Sequence, residues 1–64
     1  MHEYSLVTAL LDRVEAVARE HGATAVSAVR VRVGELSGVE LSLLATAYEL
    51  ARTDTLCATA PLEL

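Results

Sequence analysis

The chain opens Met1-His2-Glu3. A histidine second from a free N-terminus can offer a metal ion the terminal amine, the imidazole and the amide nitrogen between them, and Glu3 adds a carboxylate one residue on. Nitrogen donors fixed in the backbone at this spacing suit Ni(II) or Cu(II), which accept square-planar fields of N and O. Methionine excision generally needs a small second residue, so a large histidine there should leave Met1 in place and the chelate as encoded. The imidazole must be neutral to bind, and its ordinary pKa of about 6.5 predicts an affinity that falls as the medium acidifies. The competing reading is a frayed terminus with a solvated, inert histidine.

Other residues of reactive type have plainer explanations. Cys57 is the one cysteine and lies in the apolar run Leu56-Cys57-Ala58, as expected of a small core hydrophobe. His21 falls in the last turn of a helix, where a histidine meets exposed carbonyls. No Ser/His/Asp, Cys/His or paired-carboxylate grouping can be assigned, no glycine-rich phosphate loop follows a strand, and 64 residues leave little room for a substrate pocket. The chain is not expected to be an enzyme.

Composition narrows the partners. Nine acidic and five basic residues give a net charge of −4. The basic residues are arginines scattered at 13, 19, 30, 32 and 52, and the aromatics are Tyr4 and Tyr48, so neither a basic patch nor a stacking platform for nucleic acid is formed. No apolar run could span a bilayer, and nothing at the start resembles a secretory signal. One unpaired cysteine fits a reducing compartment, and the expectation is a cytoplasmic protein. A single domain of this length buries only about 60% of its unfolded surface and is marginally stable, which predicts oligomerisation or a further part of the protein as a source of stability.

The elements that must position Met1-His2-Glu3 follow from hydrophobic periodicity. Val7, Leu10, Leu11, Val14, Val17 and Ala18 recur at three and four residues and predict a helix from Glu3 to His21, with an acid-then-base pair at Glu15 and Arg19 and a left-handed cap at Gly22. From Ala25 to Glu35 the period becomes two, with Val29, Val31 and Val33 on a covered face and Arg30 and Arg32 on a wet, solubilising one. Ser37 and Glu40 have the spacing of a capping box opening a largely covered second helix to about Arg52. Thr53 to Thr55 reads as a loop and Ala58 to Leu64 as a last strand, which must lie at an edge or begin after Pro61. The expectation is an α+β fold in two layers, helix-strand-helix-strand. The two helices pack on one face of a small mixed sheet whose third strand is missing or comes from another chain, since two strands alone are marginal.

The opening Met1-His2-Glu3-Tyr4-Ser5, the segment Val31-Arg32-Val33-Gly34-Glu35-Leu36-Ser37-Gly38-Val39-Glu40 and the later Ala47-Tyr48-Glu49 resemble the nickel-binding domain of the HypA/HybF family, the hydrogenase maturation metallochaperones. The likeness covers nearly all of the chain in order. It implies Ni(II) held by His2 as principal ligand, with Met1 through its amine, the His2 amide and Glu3 completing the shell. An acidic residue that the family places near the site at the head of the second helix corresponds to Glu40, although the capping box accounts for Glu40 without any metal. The partners implied are the nickel-loading GTPase HypB, the hydrogenase large subunit and, in some relatives, urease maturation proteins. The alternative is a small αβ dimerisation module whose N-terminal histidine is incidental.

The family's pattern continues past the second strand into a zinc domain with two CxxC pairs and returns with a last strand. Those cysteines do not occur here, so zinc is expected only in longer relatives. The expectation is a single HypA-like domain over residues 1–64, cut before the zinc domain, forming a homo-oligomer that completes the sheet between chains.

Overall fold

The computed structural model describes residues 3–34 and 37–64. Its first element, helix α1, runs Glu3–Glu20 and buries the stripe predicted by its period: Val7 and Leu11 are buried, with Leu10 and Val14 packed beside them. The helix ends in a Schellman turn. Gly22 takes a positive φ of 71°, its N–H donates to the Arg19 carbonyl at 3.0 Å, and the Ala23 N–H donates back to Ala18 at 2.9 Å, satisfying carbonyls that the helix leaves open.

Strand β1 comprises Val29–Arg30, helix α2 Leu41–Ala51 and strand β2 Leu62–Glu63. The strands pair in parallel, Val29 opposite Leu62 and Arg30 opposite Glu63. A parallel pair requires a long crossover, and α2 lies within it. Among the described residues the sheet is therefore two-stranded and parallel rather than mixed.

Both strands are shorter than their apolar patterns. The ladder is fastened by Val29 N–H to Pro61 O at 3.0 Å and Val31 N–H to Glu63 O at 2.9 Å. A strand extends only as far as it has a partner, so the alternation continues past β1 without regular pairing: Val31 and Val33 are half-buried while Arg30 and Arg32 are exposed. At the other end, Pro61 supplies its carbonyl and β2 starts immediately after it. Residues 56–59 form turns, because Ala58 N–H closes onto Thr55 O and Ala60 N–H onto Cys57 O instead of entering a ladder.

Helix α2 also starts later than the Ser37–Glu40 pattern suggests. Gly38 adopts φ 77° and Glu40 is extended at φ −85°, ψ 120°, so the chain turns sharply before the helix begins. The capping box does not form: Ser37 Oγ accepts from Val39 N–H at 3.3 Å, and the Glu40 side chain makes no cap bond. The core unites Val7 and Leu11 of α1, Val29 of β1, Leu44, Ala47 and Tyr48 of α2, and Cys57 and Ala60 from the approach to β2.

Candidate metal-binding site

Met1 and His2, two of the four residues expected to meet the metal, lie outside the described residues. The other two come together. Glu3 is the first residue of α1, only 9% exposed, and its Oε2 accepts a hydrogen bond from the backbone N–H of Glu40 at 3.2 Å. Glu40 is the N-cap residue of α2 and its side chain is exposed.

Glu3 thus serves two helix heads. It is the acid in the first turn of α1, where a negative charge complements the helix dipole, and it receives the N–H at the entrance of α2. Thirty-seven residues of sequence separate the two partners. Sequence reasoning assigned Glu3 a possible bond to metal and missed this contact. The available signal was an acid in a helix's first turn, which does not say which second helix it will meet.

The remaining metal-binding residue types lie elsewhere. His21 follows the far end of the 18-residue α1, about 27 Å along the axis from Glu3 at 1.5 Å per residue. Cys57 is fully buried, and burial pushes its thiol above the ordinary value, which keeps it protonated and unreactive. Among the described residues no group of three or more His, Cys, Asp or Glu side chains could enclose a metal ion. A closed side-chain cage is therefore absent from residues 3–34 and 37–64 taken together.

A second polar cluster, which sequence reasoning did not foresee, lies at the tail of α2. Tyr48 is fully buried and its hydroxyl donates to the Ala60 carbonyl at 2.7 Å. Arg52 Nη1 donates to the same oxygen at 2.7 Å, with its guanidinium 5.5 Å from the Tyr48 ring centroid. Burial raises the Tyr48 phenol above its ordinary value. From α1, Glu15 Oε2 accepts the Leu56 N–H at 2.9 Å and pairs with Arg19 at 3.6 Å.

The family model for hydrogenase/urease nickel incorporation metallochaperones, HypA, matches residues 1–64. The chain belongs to the HypA family. It is 48% identical to the hydrogenase maturation factor HypA of Nitrosospira multiformis over all of its own length and 56% of that protein. To the factor of the same name from Shewanella oneidensis it is 45% identical over 97% of this chain and 52% of the relative. For Wolinella succinogenes the figures are 50% identity over 91% and 49%. The chain thus spans about half the length of the curated HypA relatives it matches. No solved structure matches it. No helix among the described residues is long and apolar enough to cross a membrane.

Proposed function

We propose that this chain is a nickel-binding domain that takes up Ni(II) at Met1-His2-Glu3, with Glu40 beside the site, and passes it on during [NiFe]-hydrogenase maturation. The observation that carries the reading is the match of the whole chain to a nickel-incorporation family together with an opening Met-His-Glu, whose donors suit nickel. Glu3 against the head of α2 supports it, because the residue that follows His2 is anchored to a folded element next to a second acidic residue.

A delivery protein must outcompete water for its cargo and still release it. A chelate built at a chain terminus, open on one side, allows an acceptor's ligands to replace the donors one by one. Nickel is the cargo here, and the partners in this reading are the nickel-loading GTPase HypB and the hydrogenase large subunit, with urease maturation proteins as further recipients. Zinc is expected in this reading only in longer relatives, because structural sites use sets of cysteine and histidine and this sequence has a single cysteine. The reading places the chain in the cytoplasm. A third strand from another chain, joining a homo-oligomer through an open sheet edge, completes the picture, and sedimentation showing only monomer at high micromolar concentration would remove that part of it.

An interaction module without metal is the second reading, favoured by Leu41, Leu43 and Leu50, which are 49 to 69% exposed on α2. Nickel titration of His2→Ala separates the two. The metallochaperone reading expects high-affinity binding to be lost, and unchanged binding would favour the module.

A further inference from the structure

We propose that the outer edge of β1 turns away a second copy of this chain and accepts instead an extended segment of a partner protein that carries acidic residues at alternate positions. The ladder to β2 uses the N–H groups of Val29 and Val31. Backbone groups alternate in direction along a strand, so those of Arg30 and Arg32 point the other way, to the side of β1 where the described sheet has no strand. Where the covered face continues past β1, an apolar groove of about 230 Å³ is lined by Leu6 and Leu10 of α1 and by Val31, Val33, Val39 and Leu44. A strand added at this edge would set one row of side chains over the groove and the other row beside the two arginines, because side chains alternate between faces. Main-chain bonds would supply the grip and the alternate side chains the selectivity.

Charge decides which strand fits. On its inner side Arg30 already faces an acid, Glu63 of β2, its register partner, at 2.7 Å. Arg32 is exposed and forms no ion pair with a described residue. A second copy would bring the wrong sign. When two identical edges join by a two-fold axis that keeps all helices on one face, the strands run antiparallel and equivalent residues are opposed about the centre. Centred on Val31, the Arg30 of each copy lies opposite the Arg32 of the other; centred on Arg30 or on Arg32, that arginine lies opposite itself. Every register centred within these three residues thus opposes like charges, which destabilises a strand pair, and charged edge residues of this kind guard against self-pairing. A strand with acids on the same face meets attraction in those positions. The inference goes beyond the nickel reading and narrows its oligomer. Pro61 and Glu63 turn their carbonyls to β1, so self-pairing is left to the outer edge of β2, whose outward groups belong to Leu62 and Leu64.

The test follows backbone amide exchange at positions 30 and 32 in the unsubstituted chain and in Arg32→Glu, at rising protein concentration. Two synthetic peptides of about eight residues, a strand's length, are then added to the unsubstituted chain, one alternating valine with glutamate and one alternating valine with lysine. In the unsubstituted chain both amides should exchange at a rate independent of protein concentration, and the glutamate peptide should slow them. It should bind roughly tenfold more tightly than the lysine peptide, the scale of two cross-strand pairs changed from unlike to like charge. In Arg32→Glu, the register centred on Val31 sets each Arg30 opposite the introduced carboxylate of the other copy, so both amides should become protected as concentration rises. Three results overturn the proposal: protection that grows with concentration in the unsubstituted chain, peptides that slow the two amides equally or not at all, and an Arg32→Glu chain that stays unprotected. Should Arg32→Glu not fold, the peptide comparison on the unsubstituted chain decides. An oligomer formed through β2 leaves these two amides unchanged, so its presence or absence in sedimentation is read separately, and no step of the test depends on nickel.

Discussion

The two ends of α2 are secured in different ways. At the tail, Tyr48, Arg52 and the Ala60 carbonyl form one buried or half-buried network, Glu49 pairs with Arg52 at 3.0 Å, and Glu15 reaches from α1 to the Leu56 N–H. At the head, a single side chain from α1, Glu3, takes the Glu40 N–H, and Leu41 and Leu43 are half-exposed. The tail has redundant fastenings around apolar residues of the core. At the head, the described link between the two helices is the Glu3–Glu40 bond. The tail of α2 is thus tied through several side chains and the head through Glu3.

The largest effect should come from breaking the scaffold. Tyr48→Ala removes a fully buried ring and a hydroxyl donor, and at about 3–5 kcal/mol it should abolish cooperative unfolding in a domain this small; a normal denaturation midpoint would contradict the role given to the tail. Next, Glu15→Ala leaves the Leu56 N–H without its acceptor and should cost about 1–3 kcal/mol in urea denaturation, with amide exchange accelerated at Leu56. At the head, Glu3→Ala should cost about 1–2 kcal/mol and speed exchange at Glu40 while Leu56 stays protected. Equal loosening at both ends would erase the distinction drawn between them.

Smaller still is a pH effect confined to the tail. Burial raises both the Cys57 thiol and the Tyr48 phenol, so the folded chain keeps those protons to higher pH than the unfolded chain does. Their contribution to stability is then complete below the ordinary thiol value of 9.0 and declines as pH rises through the elevated folded values. Cys57→Ala should delay the onset of that decline in chemical denaturation followed from pH 7 to 10.5, and an unchanged profile would remove the thiol from the account. Least of all, the exposed Arg30–Glu63 pair at 2.7 Å should leave stability unchanged within error when Arg30 becomes Gln, as for most surface ion pairs.

The same contrast explains what the sequence made legible. Periodicity found α1 and its buried stripe, and Gly22 announced the helix end, because these depend on residues a few positions apart. The alternation at Val29, Val31 and Val33 found the covered face but overstated the strand, since length depends on a partner 33 residues away. Ser37 and Glu40 had the right spacing for a cap and the wrong backbone, because Gly38 turns the chain before the helix starts. The Glu3–Glu40 bond and the Tyr48–Arg52–Ala60 network join residues from different elements, which no local pattern encodes. The proposed metal donors are adjacent residues at the start of the sequence, and Met1 and His2 lie outside the described residues.

The central claim is that nickel is gripped by an unblocked N-terminus and the imidazole next to it. Nickel titration calorimetry of the native chain beside the same chain extended by a few residues before Met1 tests it most directly. The extension converts the terminal amine to an amide and leaves His2, Glu3 and Glu40 as they are. The account predicts that tight binding is lost on extension; binding of undiminished affinity would contradict it.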